Sequence, residues 1–260
     1  MRSPISIVIR RSLSLALLFA AALTGCGREP PPLTEADIAA NNKGVALMGY
    51  FDYPGARDVF ARLVERRPDW LDARTNLAIA TLNRQEEGDE TRALEIFAAV
   101  LEEDPEHPRA RYMSGLLNLY LGNTAASLGH LSQIAEADPA DAYAAYFIGQ
   151  NLLQEGRLGE TLDWFQRAAE SDPYLRSAYY GAGLAARRLG EAELARDWLA
   201  QYQRLADNPR ARLAEFKYTR MGPTGMALAV GAVSESLPAN ALAGPLFASP
   251  VDLDIGAWPL

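Results

Sequence analysis

The chain has 260 residues, enough for one large domain or two small ones, and its apolar fraction of 49% and charged fraction of 22% are ordinary for a folded protein. Its formal net charge is −8, which argues against nucleic acid as a partner because phosphate backbones are also negative. One cysteine excludes an internal disulfide, and two histidines beside it are too few for the usual Cys/His metal site. We therefore expect no metal and no cofactor.

The first 25 residues have the composition of an export signal. Arg10 and Arg11 form a basic flank, and residues 12–25 carry no charge and are mostly Leu and Ala. A helix of that length spans about 21 Å, whereas the bilayer hydrocarbon is about 30 Å thick. Residues 1–25 are therefore predicted to be a secretory signal rather than a transmembrane helix.

The single cysteine follows this apolar run, as the last residue of Leu23-Thr24-Gly25-Cys26. These four residues resemble the lipobox of bacterial lipoproteins. The resemblance implies cleavage before Cys26, attachment of diacylglycerol to its sulfur and acylation of the new amino group, which together anchor a protein to a membrane. In lipoproteins of Gram-negative bacteria, the absence of Asp after the cysteine implies the outer membrane, and residue 27 is Gly.

From this resemblance we expect an exported chain, lipid-anchored to the outer membrane and facing the periplasm. Residues 26–36 would then hold the lipidated cysteine and a spacer, because the three prolines of residues 30–32 favour an extended polyproline conformation. Two other interpretations stay open: an ordinary signal peptide, and a buried free cysteine at position 26.

From residue 37 onward the chain repeats at intervals of 34 or 37 residues. A small residue marks the first helix of each unit: Gly44, Ala78, Gly115, Gly149 and Gly183. Another marks the second helix: Ala56, Ala93, Ser127, Thr161 and Ala195. A large apolar residue follows four positions later: Phe60, Phe97, Leu131, Phe165 and Leu199. Because two such helices cannot bury both apolar faces alone, stacked units are expected to bury them together.

This pattern resembles the tetratricopeptide repeat (TPR) family, and the match is fullest in unit four, from Ile148 to Pro173. The resemblance implies an all-α, right-handed α-solenoid of about five helical hairpins over residues 37–208. Two departures matter. Lys43 stands where an apolar residue is usual, so the first helix is expected to be shifted or frayed. Three extra residues within 85–91 are expected to lengthen the turn inside unit two.

In this architecture the first helices line the concave surface, and one face of each helix is expected to form a groove. The predicted groove is rich in tyrosine in its middle and basic at its far end, which suits a peptide or helix with apolar side chains and an acidic end. Its predicted residues are Arg109, Tyr112, Leu116, Tyr120, Tyr143, Tyr146, Gln150, Tyr180, Leu184, Arg187 and Arg188. The alternative for each tyrosine is packing between neighbouring helices without any ligand.

Some repeats of this family grip a C-terminal carboxylate with Lys, Asn and Arg residues. Asn41, Asn76 and Arg109 match part of that set, but Met113 stands where a second basic residue is needed. The sequence therefore argues against such a clamp.

The last fifty residues change character. Residues 209–220 are predicted to form a capping helix, because terminal repeats need a polar outer face. Residues 221–260 are rich in Gly, Pro, Ala and Leu, and they form an irregular tail that wraps the solenoid, fills its groove or leads into something else.

The sequence contains no nucleophile with a credible partner, no phosphate-binding loop and no Gly-x-Ser-x-Gly elbow, so we expect no enzyme. His107 and His130 are predicted to face solvent. The leading hypothesis is a membrane-anchored adaptor or assembly factor of the bacterial cell envelope that binds a protein segment in its groove. The alternative is a structural or self-associating module, or the front section of a larger exported protein with propeller-type repeats, which residues 215–223 faintly resemble.

Overall fold

The computed structural model describes residues 31–231. The predicted signal, Cys26 and residues 232–260 lie outside the described residues. Within the described range the chain forms ten α-helices and no strands: α1 (Glu35–Gly49), α2 (Tyr53–Arg66), α3 (Leu71–Arg84), α4 (Asp89–Glu103), α5 (Pro108–Tyr120), α6 (Thr124–Ala137), α7 (Ala142–Gln154), α8 (Leu158–Ser171), α9 (Arg176–Leu189) and α10 (Ala192–Arg204). None of these helices is long and apolar enough to cross a bilayer.

Each helix packs on the next one along the chain, so the ten helices form five consecutive hairpins. This arrangement confirms the predicted all-α solenoid. Smaller contacts join α1 with α3, α3 with α5, α5 with α7, and α7 with α9. The first helices of successive units therefore lie side by side and form one continuous face.

Small residues recur in the repeat because large side chains of the neighbouring helices pack directly against the backbone at these positions. The ring of Phe165 on α8 is fully buried between two first helices. A Cβ atom added at Gly149 on α7 would lie 2.8 Å from this ring, and one added at Gly181 on α9 would lie 2.7 Å from it. Such distances are too short for carbon atoms, so α7 and α9 approach α8 this closely only because glycine stands at both positions.

The first helix is intact, and the prediction that it is shifted or frayed is wrong. α1 runs from Glu35 to Gly49, and Lys43 lies on its exposed side. Its start is well defined because Thr34 and Asp37 form a capping box, in which each side chain bonds to the backbone of the other.

The three extra residues of unit two are shared among three elements rather than added to the turn alone. α3 has 14 residues where α5 has 13, and α4 has 15 where α6 has 14. The turn between α3 and α4 is one residue longer than the turn between α5 and α6. Gln85 and Gly88 both have positive φ in this longer turn.

The predicted capping helix at residues 209–220 is also wrong. Residues 211–231, which we call the groove segment, contain no α-helix and are irregular apart from two single turns of 3-10 helix at Tyr218–Arg220 and Pro223–Gly225. A helix this short is marginal on its own, and the backbone finds bonding partners on the solenoid instead. Arg212 donates its N–H to Tyr174 O (2.8 Å), and Arg176 donates to Arg212 O (2.8 Å).

Candidate protein-interaction groove

The groove predicted from the first helices is occupied by the chain's own groove segment. The segment starts beside α9, where Leu175 and Arg212 form an isolated parallel bridge. Ser177 on α9 then bonds to Ala214, whose N–H donates to the Ser177 hydroxyl at 3.0 Å. The segment continues past α7 and α5 and ends against α3 and α1. Three alternatives were given for the tail of residues 221–260. Its described part, residues 221–231, fills the groove.

The middle of the groove segment is buried against the predicted tyrosines. The Tyr112 hydroxyl donates to Met221 O at 2.5 Å, and both residues are almost fully buried. Burial raises the pKa of Tyr112 well above its ordinary value. Gly222 packs so closely on Tyr143 that a Cβ there would lie 2.7 Å from the ring. Thr224 donates its hydroxyl to Asp141 at 3.4 Å.

A small cavity remains between α5, α7 and the groove segment. The ring of Tyr120 stacks on Phe216 at 4.5 Å between centroids, and Tyr146 accepts a hydrogen bond from Gln150 at 2.9 Å. Burial raises the pKa of Tyr146. The cavity measures 360 Å³, and its lining includes Leu116, Tyr120, Tyr146, Gln150 and Phe216.

Four polar side chains bind the last part of the segment by its main chain, and we call Asn41, Asn42, Asn76 and Arg109 the amide strip. Asn76 donates to Leu228 O (3.0 Å) and accepts from Leu228 N (2.9 Å). Asn42 bonds to Val230 in the same two-way manner, at 2.8 and 3.0 Å. Asn41 also donates to Leu228 O, and Arg109 donates to Met226 O at 2.8 Å.

The charge of Arg109 is balanced inside the groove. Its guanidinium lies 3.2 Å from Asp72 on α3, and burial lowers the pKa of Arg109 while Asp72 opposes that effect. A hydrogen bond from His107, together with the charge of Arg109, lowers the pKa of Asp72. His107 is buried and accepts the N–H of Ala110 at the start of α5, so the prediction that it faces solvent is wrong. His130 is partly buried.

A family model described as tetratricopeptide repeat matches residues 41–108 and 112–175. The chain belongs to the tetratricopeptide repeat family. The matched family is a family of interaction scaffolds, and no catalytic family is indicated. No curated protein matches this sequence.

Several solved structures share the TPR fold with this chain. MamA from Desulfovibrio magneticus RS-1, from residue 41 to its end, is 21% identical with a TM-score of 0.61, over 68% of this chain and 99% of that one. A double mutant of MamA RS-1 is also 21% identical, with a TM-score of 0.60, over 67% and 96%. A further crystal structure of MamA is 17% identical, with a TM-score of 0.57, over 66% and 93%. At these identities the likeness concerns the fold alone.

The far end of the TPR groove differs from its middle. Tyr180 is half exposed and packs on Tyr202 of α10, with centroids 5.3 Å apart. Leu184 is partly buried, and Arg187 and Arg188 are exposed at the end of α9. Of the eleven predicted groove residues, seven lie along the groove segment or the cavity beside it: Arg109, Tyr112, Leu116, Tyr120, Tyr143, Tyr146 and Gln150. The other four lie on α9, where Leu184 is partly buried and Tyr180, Arg187 and Arg188 are exposed.

The predicted set omitted the three asparagines of the amide strip. Asn41 and Asn76 entered the sequence argument as partial matches to a carboxylate clamp, and helical spacing also put Asn41 on the groove face of the first unit. The structure brings both together with Arg109, but they bind main-chain groups inside the chain rather than a terminal carboxylate. A signal was present, because asparagine is a poor helix former and two of them lie inside first helices on the concave face.

The described residues contain no group of three or more His, Cys, Asp or Glu side chains arranged to hold a metal ion.

Proposed function

We propose that this TPR chain is a membrane-anchored scaffold of the bacterial cell envelope that binds an extended segment of a partner protein on its concave face. The observation that carries the proposal is the amide strip, which makes six hydrogen bonds to five main-chain groups of Met226, Leu228 and Val230. Such N–H and C=O groups are common to every polypeptide. Extended peptides bound through their main chain are one of the recurring modes of protein recognition. The acidic net charge favours a protein partner over nucleic acid.

The membrane anchor is supported by the order of residues before and at Cys26. A basic flank, an uncharged run and the four residues ending in Cys26 follow one another as in bacterial lipoproteins. The nine residues 26–34 span about 28 Å at about 3.1 Å per residue if they are extended. Such a spacer would hold the solenoid just outside the lipid headgroups, where envelope proteins are within reach.

The anchor is tested by metabolic labelling with a fatty-acid analogue. The wild-type chain is expected to take up the label and to fractionate with membranes. The Cys26→Ser variant is expected to do neither, because the diacylglycerol is attached to the sulfur. Label that persists in the variant would remove the anchor from the proposal.

Partner binding is tested by capture from envelope extract. We expect an Asn42→Ala/Asn76→Ala chain to lose proteins that the wild-type chain retains. The matched control is Glu95→Ala, which removes an exposed side chain from the second helix α4. Equal capture by the wild-type chain and the asparagine variant would place the partner surface elsewhere on the molecule.

A further inference from the structure

The groove segment consists of two parts that differ in burial. In residues 211–225, the side chains of Ala214, Tyr218 and Met221 are no more than 3% exposed and belong to the hydrophobic core. In residues 226–231, Met226 is 39% exposed and Leu228 is 46% exposed. The first part is therefore a fixed element of the solenoid, whereas the second part adds little apolar burial to it.

The second part is held mainly through its backbone. The amide strip bonds to residues 226, 228 and 230, and this alternation follows from extended backbone, in which every second residue faces the same way. The side chains of Met226 and Leu228 point toward solvent. Any extended polypeptide that has free N–H and C=O groups at alternate residues can form the same hydrogen bonds with the amide strip.

The amide strip is oriented by bonds among its own members. Asn76 donates to Asn41 Oδ1 at 2.9 Å, and Arg109 donates to Asn76 Oδ1. Asn41 also donates to Asn42 Oδ1 at 3.3 Å. These bonds involve only members of the strip and none of residues 226–230, so they help to preorganise the amide groups for a replacement.

We infer that residues 226–230 are an exchangeable internal occupant of the amide strip, which an extended segment of a partner protein displaces while residues 211–225 stay in place. The partner is recognised by N–H and C=O groups at alternate residues and not by particular side chains. This inference rests on the proposed function and narrows it, because the partner surface becomes α1, α3 and the start of α5 rather than the tyrosine-rich middle. Since the internal occupant is tethered, it lowers the apparent affinity of any competitor.

The inference is tested by fluorescence anisotropy with a labelled peptide that has the sequence of residues 224–231 and blocked ends. The receptor is the full chain in detergent. Leu228→Pro removes the N–H that Asn76 accepts and so weakens the internal occupant without altering the strip. Ala229→Pro is the matched control, since it puts the same residue type one position along and leaves the N–H groups of Leu228 and Val230 in place.

We expect the Leu228→Pro chain to bind the peptide about tenfold more tightly than the wild-type chain, because the competing segment has lost the one hydrogen bond from Leu228 N–H to Asn76. The Ala229→Pro chain should resemble the wild-type chain. Adding Asn76→Ala to Leu228→Pro should abolish binding, and a peptide carrying proline in place of Leu228 should bind about tenfold more weakly than the unaltered peptide. Equal binding by the Leu228→Pro and wild-type chains, or binding that survives Asn76→Ala, would overturn the inference.

A replacement variant and a comparison of the two assays make the result decisive. If the Asn76→Ala chain loses its helical circular dichroism, Asn42→Ala replaces it, because Asn42 is only partly buried and bonds to Val230 alone in the segment. The peptide assay needs neither a lipid anchor nor an envelope partner. Peptide binding without envelope capture would contradict the proposed function alone, whereas envelope capture without peptide binding would contradict only this inference.

Discussion

At the scale of single residues, the turn inside each hairpin contains at least one residue with positive φ. Gly122 fills this position between α5 and α6 with φ of 80°. Units one and two carry Phe51 and Gln85 there, and both adopt φ of 61°. Since ordinary residues avoid this region, their conformation shows that the hairpin geometry and not the residue type imposes the left-handed turn.

Gly122→Ala is expected to lower the free energy of unfolding by about 1 kcal/mol, because alanine at positive φ is strained. No atom would contact the new Cβ, so the backbone conformation is the sole cause. Gly129→Ala is the control, since Gly129 lies inside α6 with open space around it and alanine there should raise stability by about 0.5–1 kcal/mol. Urea unfolding followed by circular dichroism measures both. Shifts of the same sign would contradict the argument.

At the scale of elements, the long turn of unit two is organised by the buried carboxylate of Asp89, the first residue of α4. Arg84 at the end of α3 donates to it twice, at 2.7 and 3.1 Å, and the N–H of Glu86 donates at 2.9 Å. The hydrogen bonds from Arg84 hold the pKa of Asp89 below its ordinary value. One side chain thus closes the turn and joins the two helices.

Asp89→Asn is expected to cost about 2 kcal/mol at pH 7, because it removes charge-assisted hydrogen bonds from a buried site. The folded state holds this proton less tightly than the unfolded chain, whose Asp pKa is about 3.9. The stabilisation is therefore complete above about pH 4 and is lost as the pH falls through the lowered pKa of the folded state. Urea unfolding of both chains between pH 7 and pH 2.5 measures the difference, which should shrink at the acidic end. A constant difference would assign the effect to packing.

At the scale of the whole molecule, the groove segment adds contacts between units that are not neighbours in the repeat array. In a simple repeat array each unit contacts only its neighbours. Here one segment contacts first helices from α9 to α1, through Ser177 at one end and Asn42 at the other. Units that are distant along the chain are therefore coupled through a common element.

Met221→Ala is expected to lower the free energy of unfolding by about 3 kcal/mol, because the Met221 side chain of the groove segment is almost fully buried in the core. Leu228→Ala is the matched control and should change it by less than about 0.5 kcal/mol, because that side chain is largely exposed. Urea unfolding is followed by tryptophan fluorescence in two backgrounds that each keep one of the chain's four tryptophans, either Trp70 before α3 or Trp198 on α10. The two tryptophans should respond to Met221→Ala together. If the unfolding transition shifted at only one of the two tryptophans, the segment would not couple the units.

The sequence by itself determined the five hairpins, because helix period, small residues and turn residues act within about 34 residues and repeat in register. Helical spacing also put Arg109 and the middle tyrosines on one face of their helices, and the resemblance to the TPR family implied that this face lines the groove. Only the tertiary structure decided what fills the groove. Asn76 and Leu228 are 152 residues apart, and extended backbone bound through its main chain leaves no periodic pattern in its side chains. Residues 209–220 were wrongly predicted to be a helix. The hydrogen bonds that hold this stretch out of a helix, such as that from Arg212 N–H to Tyr174 O, come from residues that are distant along the chain.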